Sequence, residues 1–151
     1  MKLNLFKIKA GHDEHVDIYF RMLTHDLKRA IEIIKEDVPY MEGRDQDDII
    51  QIPIRDIYYL DVANRHVFAC MEQAVYGISP TLNELEQQLA PWNFARINKS
   101  QIVNLHKIRQ IKPTAGMRII AVLENEEKLI INRSYRDEFH NSLTSLRRSL
   151  T

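Results

Sequence analysis

Residues 49–78 read IIQIPIRDIYYLDVANRHVFACMEQAVYGI, and this stretch decides the fold class. β-Branched and aromatic residues come in short runs: IIQIPI (49–54), DIYYLDV (56–62), HVFACM (66–71) and QAVYGI (73–78). Each run is too short for a typical helix and has the composition of a strand. Ala63-Asn64-Arg65 supplies a turn between two of them. Strands this closely spaced, with no helix between them, predict a mostly-β domain and not βαβ units.

Toward the C-terminus, TLNELEQQLA (81–90) predicts the one clear helix of this part. Thr81 and Glu84 form a capping box, Leu82, Leu85 and Leu89 make an apolar stripe, and Pro91 ends it. Trp92 reads as a core plug. FARI (94–97) reads as a strand and KSQIVNLHKI (99–108) as a loop with one helical turn. IRQIKP (108–113), MRIIAVLE (117–124) and KLIIN (128–132) read as strands, with a turn at Asn125-Glu126-Glu127. A closing helix runs from Arg136 to Leu150. Toward the N-terminus, LNLFKIK (3–9) and HVDIYFRM (15–22) alternate like strands. Thr24 then caps a helix over HDLKRAIEIIKED (25–37) that aligns Leu27, Ile31 and Ile34, and Pro39 stops it. The polar stretch MEGRDQDD (41–48) predicts a boundary. The expected organisation is a β-β-α piece over 1–45 and a mostly-β domain over 46–151.

The chain has 151 residues, 44% hydrophobic and 28% charged, which suits a folded domain and excludes general disorder. The single cysteine, Cys70, cannot form an internal disulfide or build a zinc site, and it reads as a buried structural thiol. No apolar run reaches the roughly 18 residues of a membrane span. Acidic residues appear too early for a signal peptide, so a cytoplasmic protein is expected. Net charge is zero, but it is unevenly placed. Residues 1–50 hold 8 basic and 11 acidic residues, and residues 51–151 hold 13 and 10. Between Glu86 and Glu124 there is no acid, while Arg96, Lys99, Lys107, Arg109, Lys112 and Arg118 carry six positive charges. Such a block is the footprint of a face that binds a polyanion, or a chance clustering on a solvated surface.

The constellations of an enzyme are missing. The four glycines, at 11, 43, 77 and 116, form no phosphate loop, and no G-x-S-x-G or H-E-x-x-H occurs. His12 and His15 have no further ligands beside them in the sequence and read as surface residues. No enzyme activity, cofactor or metal is expected.

One ordered set of motifs carries more. IRDIYYLDVANRHVFAC (54–70), the helix TLNELEQQL, FARINKSQIVNLHKI (94–108) and KLIINRSY (128–135) follow one another as I-x-Y-L-D, L-x-x-L-E-x-x-L, F-x-R-x-x-x-S-x-I-V-N-L-x-x-I and a strand ending in N-R-x-Y. Over roughly 49–143 this resembles the LytTR family of DNA-binding domains. It departs from the family at Asn98, where many members carry His, and at Asn125-Glu126, where many have Asn-Gly or Asp-Gly. With only about 48 residues ahead of the domain, the chain resembles the class that lacks a receiver domain.

The resemblance implies an elongated antiparallel β-sandwich with one short helix that reads the major groove through loops. It places DNA contacts at three sites: His66 in the 63–66 turn, Asn98, Lys99 and Ser100 after FARI, and Arg133 with Ser134 and Tyr135 after KLIIN. Arg can fork onto guanine, Lys and His can reach base or phosphate, and a Ser hydroxyl suits phosphate. Arg96 is either a buried ion-pair partner or a phosphate contact. Asn104 reads as a structural residue that satisfies its loop. The resemblance further implies a sequence-specific transcriptional regulator whose partner is double-stranded promoter DNA, bound at paired sites by a homodimer. A small membrane protein that restrains it is the kind of partner receiver-less members have. A protein-interaction module whose basic face is incidental is the alternative reading.

Overall fold

The computed structural model describes residues 2, 4–6, 11, 16–35 and 39–149. These fall in two compact units, 1–37 and 38–151. In the first, α1 spans His25–Lys35, and Thr24 caps it by accepting the Leu27 N–H on its hydroxyl at 3.2 Å. The expected strand over 15–22 is absent from residues 16–22, which carry no regular structure. Alternation alone does not make a strand without a partner for its backbone groups. Val16, Tyr19, Phe20 and Met22 are exposed there. The expected strand over 3–9 lies largely outside the described residues, and so do His12 and His15.

The described residues of the second unit form ten strands in two antiparallel sheets. The stretch expected to be a boundary is a strand, β1 (Tyr40–Asp45), and it pairs along its whole length with β2 (Asp48–Pro53). The two are joined by a turn at Gln46-Asp47. The expected border at 45/46 therefore cuts through a hairpin, and the compact units divide at 37/38 instead. Gly43 explains why polarity misleads here. A Cβ at this position would lie 2.3 Å from the Ile52 side chain and 3.2 Å from that of Tyr76, so the glycine marks a close approach and not a linker.

β3 (Tyr59–Ala63), β4 (His66–Cys70) and β5 (Val75–Ile78) form a meander. Asn64 and Arg65, at φ 51° and 66°, make the two-residue turn of the β3–β4 hairpin. α2 (Leu82–Leu89) starts at the expected capping box: Glu84 N–H donates to the Thr81 hydroxyl, and Thr81 N–H donates to the Glu84 carboxylate. β6 is Phe94–Asn98. The segment expected to be a loop supplies β7 (Gln101–Asn104), followed by one 3-10 turn at Leu105–Lys107. β8 (Ile108–Thr114), β9 (Arg118–Leu123), β10 (Lys128–Ile131) and α3 (Arg136–Ser149) complete the chain. Trp92, expected as a core plug, is 39% exposed.

The larger sheet runs β2-β1-β5-β4-β3-β7-β6 and the smaller β10-β9-β8. Two cores form on opposite faces of β3, β6 and β7, as the period of two requires. On one face Leu60, Phe94 and Ile102 pack with Leu82, Leu85 and Leu89 of α2. On the other, Ala95, Ile97 and Val103 meet Ile119, Leu123 and Ile131 of the small sheet and Phe139, Leu143 and Leu146 of α3. Asn104, the only buried polar residue among the described ones, donates to the Ile57 carbonyl at 2.9 Å and accepts the His106 N–H at 3.1 Å. It is the structural residue its sequence context suggested.

Candidate nucleic-acid interface

The sheet order brings the three expected contact segments to one end of the second unit. β3 ends beside the β6–β7 turn, because Val62 N–H donates to the Ser100 carbonyl at 2.9 Å. The segment after β10 is tied to the same turn. Asn132 N–H donates to the Ile97 carbonyl at 2.9 Å, and Asn98 Nδ2 donates to the Ile130 carbonyl at 3.2 Å. The 63–66 turn, the 98–100 turn and the 132–135 segment therefore form a continuous row. Sequence separations of 30 residues and more collapse into neighbouring strands.

Within this row the side chains divide into two groups. His66, Lys99, Arg133 and Ser134 are exposed, and the Lys99, Arg133 and His66 side chains make no hydrogen bond or ion pair with the described residues. Ser100 and Tyr135 are half-buried. Asn98 and Arg96 are occupied. Asn98 Oδ1 accepts from the Ser100 N–H at 2.9 Å and the Ser100 hydroxyl at 3.0 Å, and its Nδ2 also donates to Gln101 Oε1 at 2.9 Å. An Asn with all its side-chain groups engaged sets the shape of the turn.

Arg96 makes an ion pair with Glu86. It lies on the α2 face of β6, its side chain only 11% exposed. Its Nε donates to the Asn98 carbonyl at 2.8 Å, one terminal nitrogen to Asn83 Oδ1 at 3.0 Å and Glu86 Oε2 at 3.1 Å, and the other to the Lys99 carbonyl. One guanidinium thus ties the turn that presents Lys99 to α2.

The six charges of the acid-free block do not share a face. Arg109 is paired with Glu126 at 3.0 Å, and the Lys107 ammonium stands 4.9 Å over the Tyr58 ring. Both lie at the Leu123 end of β9, opposite the end where Ile119 pairs with Ile131 and the chain leads on to Arg133. Arg118 and Lys112 lie toward the Arg133 end.

Two further cations stand at the row, and sequence reasoning missed both. Arg65 occupies the hairpin turn beside His66, and Arg44 sits on β1 opposite Gly77 of β5. The first was legible as the neighbour of an expected contact. The second was hidden in the stretch read as a boundary.

Cys70 is buried, and burial pushes its thiol up to about 11, partly offset by a hydrogen bond with Tyr59. The Tyr59 hydroxyl is itself raised far above its ordinary range by burial, then by its bonds to Glu127 and Cys70. This pair is a structural feature remote from the contact row. Among the described residues no cluster of His, Cys, Asp and Glu could hold a metal ion, and no helix is long and apolar enough to cross a membrane.

Comparison with known proteins agrees with this architecture. The LytTr DNA-binding domain model matches residues 47–144. The sensory transduction protein LytT of Enterococcus faecalis is 34% identical over 140 residues, 90% of this chain; the chain spans 58% of that relative's length. An uncharacterised HTH-type transcriptional regulator of Staphylococcus aureus is 30% identical over 113 residues, covering 74% of this chain and 76% of the relative. A solved LytTr DNA-binding domain from Bacillus cereus has the same fold, with a TM-score of 0.66 at 24% identity over 70% of this chain and 96% of that one. The chain belongs to the LytTR family of DNA-binding domains.

Proposed function

We infer that the protein is a transcriptional regulator that recognises promoter DNA by sequence, seating the loop row in the major groove. The observation that carries this reading is the convergence of His66, Lys99 and Arg133 on one end of the second unit, each exposed and with no side-chain partner among the described residues. Two backbone hydrogen bonds and the Asn98 amide hold their segments in register. Lys99 and Arg133 are suited to base edges, Arg133 with its bidentate fork onto guanine, while the hydroxyls of Ser100, Ser134 and Tyr135 are of the kind that suits phosphate. Arg96 and Asn98 act through the turn they support. A protein with this role works in the cytoplasm and needs no catalytic group.

Promoters bound at paired sites call for a homodimer, and the first unit is the part suited to make it. Tyr19 is 91% exposed, and Phe20, Met22 and Leu23 beside it are exposed as well. Apolar side chains collected this way favour contact with another protein surface, either a second copy or a membrane-anchored partner that restrains the regulator.

The test is a fluorescence-anisotropy titration of the full chain with candidate promoter duplexes and a random duplex, repeated across salt concentrations. Binding that prefers one duplex and falls linearly in log K against log salt is expected. Affinity that ignores both sequence and salt would overturn the reading in favour of a protein-interaction module. Light scattering across a dilution series reads the dimer.

A further inference from the structure

Beside the loop row lies a cleft of about 390 Å³ that the family resemblance leaves unaccounted for. Its lining includes Arg44, Arg65, His66, Phe68, Gly77 and Thr81. The strand register explains why it is hollow. Arg44 pairs with Gly77, and Gly77 with Phe68, so one row across β1, β5 and β4 alternates large, empty, large. A Cβ built on Gly77 would meet nothing closer than the Arg44 carbonyl at 3.8 Å. The missing side chain is the floor of the cleft, and Arg44 and Phe68 flank it.

The charge of the cleft is one-sided. Arg44, Arg65 and His66 are exposed, and their side chains make no ion pair or hydrogen bond with the described residues. No acid is among the lining residues; Asp45, which follows Arg44 on β1, and Asp61, which pairs with Phe68, lie outside the lining. Arg65 holds φ 66° in a hairpin turn whose geometry favours glycine, so the chain keeps a long cation where the backbone would prefer none. Arg44 precedes the region matched by the family model, 47–144.

We propose that this cleft seats a backbone phosphate of the DNA duplex, clamped by Arg44 and Arg65, alongside the groove that the loop row enters. The inference rests on the DNA-binding reading above and adds a second kind of contact to it. Position favours DNA over a free anion. His66 and Arg65 belong at once to the cleft and to the turn of the loop row. Gly77 lies three strand spacings from β7, about 14 Å, which is the reach from a loop in a major groove about 12 Å wide to the phosphates that border it. Two arginines and an imidazole with no acid among them match a phosphodiester, which carries charge and acceptors but no sequence.

Three variants of the full chain test it: Arg44→Gln, Arg65→Gly and Gly77→Val. The valine fills the floor with a residue strands accommodate, and Arg65→Gly relieves the turn, so it should keep or raise the melting temperature. Each is expected to weaken cognate and random duplexes by the same factor, about 3- to 10-fold at moderate salt. The two charge removals should lower the salt slope by about one. In a scan of uncharged methylphosphonates, one flanking position should weaken wild type and leave Arg44→Gln unaffected. Folded variants that bind both duplexes like wild type would overturn the cleft proposal while leaving the DNA reading standing. A loss confined to inorganic pyrophosphate, read by thermal shift, would assign the cleft to a free anion and overturn it too. Failure of wild type to bind any duplex would remove both.

Discussion

Asn132 N–H donates to the carbonyl of Ile97 at 2.9 Å, fastening the start of the Arg133 segment to the end of the strand that leads into Asn98. One residue on from Ile97, Asn98 Nδ2 returns the link by donating to the Ile130 carbonyl at 3.2 Å. The two expected contact segments are therefore one mechanical piece, and a change in either should be felt in both.

Asn98→Ala removes both halves of this amide. The Ser100 N–H loses its acceptor and the Ile130 carbonyl its donor. A loss of about 1–3 kcal/mol is expected from denaturant titration, together with weakened DNA binding. Lys99→Ala, one residue on, should weaken binding with stability within about 0.5 kcal/mol of wild type. Equal stability for the two variants would show that the Asn98 network is idle.

Arg96→Ala should destabilise by about 1–2 kcal/mol, the pair with Glu86 counting for little because the Glu86 side chain is 43% exposed. Arg96→Lys should recover less than half of the loss, since an ammonium cannot serve Asn83, Glu86 and two carbonyls spread around a planar fork. Chemical denaturation of the three proteins side by side measures this.

Electrostatic variants should separate by position. Arg133→Ala should cost about 1–3 kcal/mol on a cognate duplex and narrow the gap between cognate and random DNA. Lys112→Ala should weaken both equally and lower the salt slope by about one. Arg109→Ala should change neither, because Arg109 is held by Glu126 at the other end of the small sheet. An unchanged cognate-to-random ratio in Arg133→Ala would move the reading face elsewhere.

Truncation tests where the second unit begins. β2 is joined to the larger sheet only through β1. A fragment from Val38 should fold cooperatively. A fragment from Gln46 lacks β1, which leaves β2 without its partner and bares the β5 edge. It should melt lower and aggregate. Thermal melts with light scattering compare the two.

Stability should fall on the alkaline side. Cys70 holds its proton up to about 11 in the folded chain, against an ordinary value of 9.0. Between these values the unfolded chain has released a proton that the native one keeps, so stability present below pH 9 is lost as pH rises. The limiting slope is about 1.4 kcal/mol per pH unit. Urea midpoints from pH 7 to 11 should show this decline, and it should shrink in Cys70→Ala.

The local pattern of the sequence determined most of the elements and the family. The alternating runs over 49–78, the Thr81–Glu84 capping box and the F-x-R-x-x-x-S-x-I-V-N block each encode short-range chemistry, readable wherever the strands end up. Tertiary structure decided what local pattern does not carry. MEGRDQDD is polar because most of β1 faces solvent, and it is a strand because β2 and β5 satisfy its backbone and Ile52 crowds Gly43. HVDIYFRM alternates as a strand should, yet residues 16–22 take no regular structure. The same holds for the charges. Six cations in an acid-free stretch look like one face, yet Arg96 turns inward to α2 and Arg109 pairs with Glu126, while Arg44 and Arg65 arrive at the loop row from outside the stretch. Strand order, and not position along the chain, sets which charges can stand together.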